Sequence, residues 1–271
     1  AVRFEDETPE GFLYSLRKTK AFIASARPTA QNLFWALERT ERAAGTGTIP
    51  EMLARIRAEA LAIFEEDIAI CRAIGENGLS LLKDGDTLLT HCNAGALAAV
   101  QYGTALAPVY VGLERGMRFR IYADETRPLL QGARLTCYEL HKAGADVTLL
   151  CDGMAARLMQ SGEIDAVIVG CDRVARNYDF ANKTGTLSLA VNAKYFGVPF
   201  YVAAPSPTFD DCCATGADIV IEQRPGGEVT EQFFSSRKAP EGIGVYNPAF
   251  DVIPHTLVSA FITEKGVIRL G

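Results

Sequence analysis

The stretch Ala166-Val167-Ile168-Val169-Gly170 decides the fold class of this chain. It is apolar and β-branched at its centre, which is typical of a strand buried on both faces of a sheet. Similar short apolar runs, separated by helical patterns, occur at 87–90, 118–122, 147–150 and 199–203. Strands and helices that alternate about every 20 to 30 residues predict an α/β fold with a Rossmann-like, mostly parallel sheet and flanking helices.

The order of the elements along the chain predicts two regions. Residues 1–83 carry three amphipathic stretches and are expected to form a small N-terminal helical region. Residues 84–271 are expected to form the Rossmann-like catalytic domain. Within it we place the helices near 97–113, 131–143, 153–161 and 184–195. The runs near 218–222 and 267–270, with a helix near 255–264, are expected to extend or cap the sheet.

Composition narrows the classes of function. The chain has 271 residues, a net charge of −6, seven cysteines and three histidines. The acidic charge argues against nucleic acid or a membrane surface as the main partner, and no apolar run approaches 18 residues. An odd number of cysteines without Cys-x-x-Cys spacing predicts a reduced, cytoplasmic protein without a zinc site. Because the sequence also lacks a GxGxxG motif after its first strand and a P-loop, we expect neither a metal nor a cofactor.

A polar cluster, Thr90-His91-Cys92-Asn93-Ala94-Gly95, follows the apolar run that begins at Thr87. In open α/β sheets, ligands bind at the loops that leave the carboxyl ends of the strands. A helix beginning after this loop would lower the pKa of the Cys92 thiol and favour an anionic ligand. His91 either tunes this thiol or forms a local hydrogen bond. The alternative for Cys92 itself is a buried structural cysteine.

Asp172 occupies the equivalent position after the 166–170 strand, within Cys171-Asp172-Arg173. Two such loops can face each other across the sheet edge and bring a thiol and a carboxyl together. Partial burial would raise the pKa of this carboxyl and suit it to donate a proton. The alternative is that Asp172 pairs with Arg173 or caps the next helix.

Two further polar segments are candidate ligand contacts. Asn182-Lys183-Thr184-Gly185-Thr186 at a predicted helix start suits a phosphate or sugar hydroxyls, the alternative being simple N-capping. In the segment 124–134, Gln131 is placed to reach a ligand hydroxyl. Arg127 and Arg134 there would bind an anion or pair with acidic neighbours. We also expect three cysteines to lie in the core: Cys71, Cys137 and Cys151.

Five motifs occur in a characteristic order: the Cys92 loop, the segment 125–132, Gly170-Cys171-Asp172-Arg173, Ala181-Asn182-Lys183 and 201–205. Together they resemble the family that includes the regulatory subunits of initiation factor 2B, and within it the methylthioribose-1-phosphate isomerase branch. The resemblance implies an aldose–ketose isomerase that converts 5-methylthioribose 1-phosphate to 5-methylthioribulose 1-phosphate in methionine salvage. It implies a homodimer with a small sugar phosphate as its ligand. It assigns catalysis to Cys92 and Asp172, and substrate contacts to Arg27, Gln131, Asn182 and Lys183.

The sequence also departs from the pattern of this family. Family enzymes carry an N-terminal Arg-Gly-Ala-Pro segment that helps to hold the phosphate, and this sequence contains none. Three explanations remain open. The chain is truncated, the protein lacks the segment, or Arg27 and its neighbours bind the phosphate. Cys171 and Tyr178 replace smaller residues, and the large Tyr178 is expected to alter specificity for the substrate tail.

Two alternative functions stand beside the first. One is an isomerase of a related sugar phosphate, either 5-deoxyribose 1-phosphate or ribose 1,5-bisphosphate. The other is a non-catalytic regulatory subunit of a translation-factor complex. The regulatory branch is not expected to keep a thiol and a carboxyl at these two positions, so the pair Cys92 and Asp172 favours catalysis.

Overall fold

The computed structural model describes residues 8–270. It opens with three helices, α1 (Pro9–Ser25), α2 (Gln31–Ala44) and α3 (Ile49–Leu79), so the three predicted amphipathic stretches are confirmed. A capping box at the start of α3 satisfies the backbone N–H groups that a helix start leaves unpaired. Helix α3 packs against the main sheet, while α2 packs on α3. The division of the chain at residue 83 stays a prediction.

The main sheet has seven strands in the order β11-β10-β7-β4-β1-β2-β3. All neighbouring pairs are parallel except β10 and β11, which confirms a mostly parallel sheet. Strand β4 lies at the centre and all four of its residues are buried, as its apolar sequence predicts. The strands are β1 (Thr87–Thr90), β2 (Arg120–Asp124), β3 (Asp146–Leu150), β4 (Ala166–Val169), β7 (Phe200–Ala203), β10 (Ala260–Thr263) and β11 (Gly266–Arg269).

Helices flank this sheet at most of the predicted places. They are α4 (Ala107–Glu114), α5 (Cys137–Lys142), α6 (Ala155–Ser161), α7 (Thr186–Phe196) and a short α8 (Gly227–Thr230). The helix expected over 97–113 is wrong in its first half, because residues 97–106 form turns. The Val100 N–H donates to the Asp67 carboxylate, and Gly103, at φ +71°, packs directly on Gly95. These tertiary contacts replace the hydrogen bonds that a helix would make there.

A second sheet of four short strands was not predicted. Its order is β8-β5-β6-β9, with β5 (Arg173–Ala175), β6 (Phe180–Lys183), β8 (Phe209–Asp210) and β9 (Phe250–Ile253). Strand β6 is antiparallel to both β5 and β9. Strands of two to four residues leave too little periodicity to be recognised in a sequence. This sheet continues directly from the end of β4 and carries part of the candidate site.

The C-terminal predictions near 218–222 and 255–264 are wrong. The first segment is a 3-10 turn, Gly216–Asp218, followed by irregular chain. The second is a turn, His255–Leu257, followed by β10. All four β10 residues are buried between β7 and β11, and a short buried apolar run has no periodicity that separates strand from helix. Within residues 8–270, no helix is both long enough and apolar enough to cross a membrane.

Candidate active site

A cavity of about 560 Å³ opens at the carboxyl ends of β1 and β4. All six residues predicted to act in the site line it: Arg27, Cys92, Gln131, Asp172, Asn182 and Lys183. They come from separate places along the chain, and the parallel order of β1 and β4 brings the loops of Cys92 and Asp172 together. Five further polar residues line the cavity and were missed: Asn32, Thr104, Thr208, Glu222 and Arg224. Their sequence surroundings carry no motif that would have marked them.

Cys92 is held through its backbone in a left-handed conformation, with φ +63°. Its N–H donates to Thr126 Oγ1 at 2.8 Å, and its carbonyl accepts from Thr136 Oγ1 at 2.6 Å. Both threonines are buried. The next part of the loop is tied down by Glu139, which accepts from the Ala96 N–H at 2.7 Å. Because these contacts do not involve the thiol, the side chain of Cys92 remains available to the cavity.

Burial raises the pKa of the Cys92 thiol to about 11, although Lys183 and Arg27 act to lower it. The expectation of a lowered thiol pKa is therefore wrong for the unliganded protein. The next helix begins only at Ala107, and the hydrogen bond from the backbone of Asn93 does not offset the loss of water around the thiol. Cys92 is a neutral thiol at neutral pH.

The raised thiol pKa predicts slow alkylation of Cys92 by iodoacetamide at pH 8, where only about one thiol in a thousand is ionised. The rate should rise with pH towards about 11. Because Lys183 lowers the pKa of this thiol, Lys183→Met should move the profile to higher pH. Mass spectrometry of the peptide containing Cys92 separates it from the exposed Cys212. A profile with its midpoint near pH 7 would contradict the burial argument.

Asp172 pairs with Arg27, whose Nη2 lies 3.1 Å from Asp172 Oδ1. The alternative, a pairing with Arg173, is not found, because Arg173 binds Asp210 at 2.6 Å. Burial raises the pKa of the Asp172 carboxyl, as predicted, while Arg27 and Lys183 oppose the rise. The backbone is fixed on both sides, since the Asp172 N–H donates to Ala181 O and its carbonyl accepts from the N–H of residue 31. The carboxyl is therefore a positioned group that can hold a proton.

Lys183 ends β6, and the segment 182–186 leads directly into α7, so the predicted helix start is confirmed. Its Nζ donates to Ala249 O at 2.8 Å and lies 4.3 Å from the centre of the Phe250 ring. Burial lowers the pKa of this ammonium, and the neighbouring Arg27 and Arg224 lower it further. Three basic side chains thus share one side of the cavity, which suits an anionic group of a ligand.

Simple N-capping, the alternative for the segment 182–186, is not found at the start of α7. Asn182 Nδ2 donates to Thr186 Oγ1 at 3.0 Å, and the hydroxyl of Thr184 donates to the carbonyl of residue 248. The N–H groups at the helix start instead donate to Asp251 Oδ2, which lies 2.8 Å from Gly185 N. Asn182 therefore remains in the cavity wall, where its amide oxygen can accept from a sugar hydroxyl.

Three amide side chains in the cavity wall carry buried oxygens without a partner among the described residues: Asn32 Oδ1, Asn93 Oδ1 and Gln131 Oε1. A buried acceptor left unpaired costs free energy unless water or a ligand donates to it. Sugar hydroxyls are donors of the required kind. This clustering of unpaired acceptors in one cavity supports a polyhydroxyl ligand.

Several side chains singled out in the sequence lie elsewhere. Arg127 donates to Val229 O at 2.8 Å, and Arg134 stacks on Phe233 at 4.7 Å, so both are engaged away from their acidic neighbours in the described chain. Tyr178 packs against Phe209 and Phe261 in the core and is not among the cavity-lining residues. The expected effect of Tyr178 on specificity for the substrate tail is therefore not supported by a direct contact with the cavity.

The three cysteines expected in the core have different surroundings. Cys71 is buried, Cys137 is half-buried and Cys151 is exposed. The expectation is therefore wrong for Cys151, because it follows the edge strand β3, where one side of the sheet has no neighbouring strand.

Comparison with known proteins matches the family described as the Initiation factor 2 subunit family to residues 3–270. A methylthioribose-1-phosphate isomerase from Symbiobacterium thermophilum is 60% identical over 99% of this chain and 74% of its own length. A 5-deoxyribose 1-phosphate isomerase from Moorella thermoacetica is 55% identical over 96% of this chain and 74% of its own length.

Two solved structures share the fold over 98% of this chain. The 5-methylthioribose 1-phosphate isomerase from Pyrococcus horikoshii has a TM-score of 0.85 and 41% identity, with 75% of its chain covered. The translation initiation factor eIF-2B subunit delta from A. fulgidus has a TM-score of 0.82 and 47% identity, with 78% covered. The family match over nearly the whole chain and these identities show that the chain belongs to the Initiation factor 2 subunit family.

Proposed function

We propose that this protein is an aldose–ketose isomerase that converts 5-methylthioribose 1-phosphate to 5-methylthioribulose 1-phosphate in methionine salvage. The observation that carries the proposal is the meeting of the Cys92 thiol and the Asp172 carboxyl in one cavity beside Arg27 and Lys183. The names of the relatives from Symbiobacterium thermophilum and Pyrococcus horikoshii support this substrate.

The reaction needs an acid first. A sugar phosphorylated at C1 has no free anomeric hydroxyl, so its ring opens only when the ring oxygen receives a proton. Asp172 is suited to this step because burial raises the pKa of its carboxyl, and so favours the protonated form. Arg27, 3.1 Å away, then stabilises the carboxylate that remains after the transfer.

The hydrogen at C2 must then reach C1, and two mechanisms can account for this transfer. In the first, Cys92 acts as a thiolate, takes the proton from C2 and returns a proton to C1, while the C2 hydroxyl gives its proton to the Asp172 carboxylate left by ring opening. In the second, a hydride moves directly from C2 to C1, the C2 hydroxyl again gives its proton to Asp172, and Cys92 assists as a neutral thiol. The raised pKa of the thiol makes the first route depend on Lys183 and Arg27, which favour the thiolate.

Isotope tracing separates these routes. Turnover in deuterium oxide that places solvent deuterium at C1 of the product excludes an intramolecular hydride shift. Complete transfer of deuterium from C2-labelled substrate to C1 excludes exchange of that hydrogen with solvent through Cys92. The measurement uses the purified protein and NMR of the product.

The remaining polar side chains are assigned to binding. Arg27 and Lys183 are the proposed partners of the phosphate, because both are basic and line the cavity beside the catalytic pair. Gln131 and Asn182 are the proposed partners of the sugar hydroxyls. The unpaired oxygen of Gln131 supports its role as an acceptor.

We expect kcat/KM for 5-methylthioribose 1-phosphate to exceed that for ribose 1,5-bisphosphate at least about tenfold, since an unpaired second phosphate would be costly to bury. The third basic side chain of the cavity, Arg224, is already bound by Glu228, with Nε 2.9 Å from Oε1. The cavity wall instead contains Leu97, Leu129 and Leu135, which suit an apolar substituent. Coupled assays of purified protein with each sugar phosphate check this, with Cys92→Ser as the control for contaminating isomerases. A preference for the bisphosphate would contradict the prediction.

Two alternatives are outcomes of the same assay. 5-Deoxyribose 1-phosphate also carries an apolar C5, and the relative from Moorella thermoacetica is named for that substrate. A higher kcat/KM for it would change the proposed substrate while keeping the reaction. Failure to turn over any of the three sugars would favour the regulatory-subunit alternative, which the name of the A. fulgidus structure suggests.

We also propose that the protein works in the cytoplasm as a homodimer, with a small sugar phosphate as its ligand and no nucleic-acid or membrane partner. All seven cysteines are free, which suits a reducing compartment. The net charge of −6 disfavours polyanionic partners. Sedimentation of the purified protein at micromolar concentration checks the dimer.

A further inference from the structure

His91 is fully buried between a carboxylate and a carbonyl. Its Nδ1 lies 2.9 Å from Asp124 Oδ2, and its Nε2 lies 2.8 Å from Thr184 O. A backbone carbonyl can only accept a hydrogen bond, so Nε2 must carry a proton. Both ring nitrogens are therefore used, and neither is free to form a hydrogen bond with the Cys92 thiol.

A second proton is shared between Nδ1 and Asp124 Oδ2. Burial opposes a charged imidazole, but the hydrogen bond and the charge of Asp124 raise the pKa of His91 above its ordinary value. The charge of Asp152, which follows β3, also raises the pKa of His91. The charge of Glu125 raises the pKa of Asp124. Deprotonating this unit would leave a nitrogen lone pair facing a carboxylate, so the hydrogen bond to Asp124 persists at neutral pH.

The imidazole connects three chain segments that build the cavity. His91 directly precedes Cys92, and Asp124 ends β2. Thr184 directly follows Lys183 and leads into α7. Gly185, at φ +107°, packs so closely on the ring that a Cβ there would lie 2.6 Å from it. The ring therefore occupies the space between the turn after Lys183 and the loop of Cys92.

A metal ion is the obvious other occupant of this cluster, because ligand atoms of His91, Asp124 and Asp152 lie within 4.8 Å of one another. Both nitrogens of the ring are already hydrogen-bonded. Both oxygens of Asp152 accept from backbone N–H groups, Thr126 N at 2.7 Å and Arg127 N at 2.8 Å. Asp124 Oδ1 has no partner among the described residues, but both ring nitrogens and both Asp152 oxygens are engaged, which favours a hydrogen-bonded role for His91.

We propose that His91 is a positioning residue, which sets the placement of Cys92 relative to Lys183 through its hydrogen bonds to Asp124 and Thr184. This inference rests on the proposed function, because it assigns those two side chains to one reaction. Displacing a catalytic group by about 1 Å can cost on the order of 10²-fold in rate. The effect should therefore fall mainly on kcat.

His91→Asn keeps an amide near Asp124 but cannot reach Thr184, and we expect kcat to fall about 10²-fold with a smaller change in KM. Asp124→Asn keeps both hydrogen bonds, since its amide can donate to Nδ1 of a neutral ring, and kcat should stay within about tenfold of wild type. His255→Asn is the matched control, because His255 also pairs with an aspartate, Asp179, at 2.9 Å but lies outside the cavity lining. Its kcat should be unchanged.

Circular dichroism establishes that each variant is folded. A folded His91→Asn within about threefold of wild-type kcat, or a folded Asp124→Asn that loses as much as His91→Asn, would overturn the proposal. If His91→Asn does not fold, His91→Gln, whose amide can donate to Thr184 O, takes its place. It should retain a higher kcat than His91→Ala. Equal losses of kcat would overturn the positioning role of His91.

A measurement without turnover separates this inference from the proposed function. In ¹⁵N-labelled wild-type protein, the Nε2 of His91 should carry a slowly exchanging proton from pH 6 to 9, and variants of His141 and His255 assign the signals. An unprotonated Nε2 would overturn the proposed hydrogen bond to Thr184, and with it the positioning role of His91, even in an active enzyme. If the wild-type protein turns over no sugar phosphate, the proposed function fails, and with it the role of His91 in catalysis, whatever the NMR result.

Discussion

Replacing Cys92 with serine is expected to lower kcat for sugar-phosphate isomerisation by about 10²–10⁴-fold, the range for loss of one general acid–base group. Serine nearly preserves the size of the side chain but ionises at far higher pH than a thiol, so it cannot take a proton from C2. A serine hydroxyl is also less polarisable, which weakens any assistance to a hydride shift. Steady-state assays with 5-methylthioribose 1-phosphate measure the change.

The fold should survive this substitution. The loop is held by hydrogen bonds from the backbone of Cys92 to Thr126 and Thr136, and neither involves the thiol. Cys212→Ser is the matched control, because that cysteine is exposed and does not line the cavity. We expect its kcat within about twofold of wild type, as for most surface substitutions. Near-normal turnover by Cys92→Ser would remove Cys92 from the chemistry.

Asp172→Asn should also lower kcat by about 10²–10⁴-fold, because an amide has no proton to give to the ring oxygen at neutral pH. The substitution is nearly isosteric and keeps the backbone bonds of residue 172 to Ala181. It places a neutral amide opposite Arg27, which leaves that guanidinium free to bind phosphate. We therefore expect KM to change less than kcat.

Asp146→Asn is the control for Asp172→Asn, since Asp146 lies on the edge strand β3 with an exposed side chain and does not line the cavity. The two aspartates undergo the same chemical change, so a shared effect would reflect folding or net charge. A loss of activity confined to Asp172→Asn assigns the effect to the site. Equal, small effects of the two variants would contradict a general-acid role.

The strands of the main sheet were predictable where the sequence carries a long enough apolar run. The runs that became β1 and β4 are buried and parallel, as their composition indicates. Their polar ends could be expected to meet because the carboxyl ends of parallel strands lie at one edge. Cys92 and Asp172, which follow these two strands, do line the same cavity.

The failures share a physical reason. Residues 97–106 have helical composition, but contacts with residues distant in sequence hold them as turns. Strand β10 and the four-stranded sheet are short segments whose conformation comes from their neighbours. Local propensity is a weak preference that tertiary contacts override.

By itself, the sequence determined the class of fold and named the candidate reactive groups, because both depend on residue types and on the order of strands. Only the tertiary structure decided the state of those groups. Arg27 lies 145 positions from Asp172 in the chain, yet forms its ion pair. The thiol pKa of about 11 is likewise set by burial beneath loops from distant segments. Charge and hydration depend on what surrounds a group in space, and a linear pattern does not contain that information.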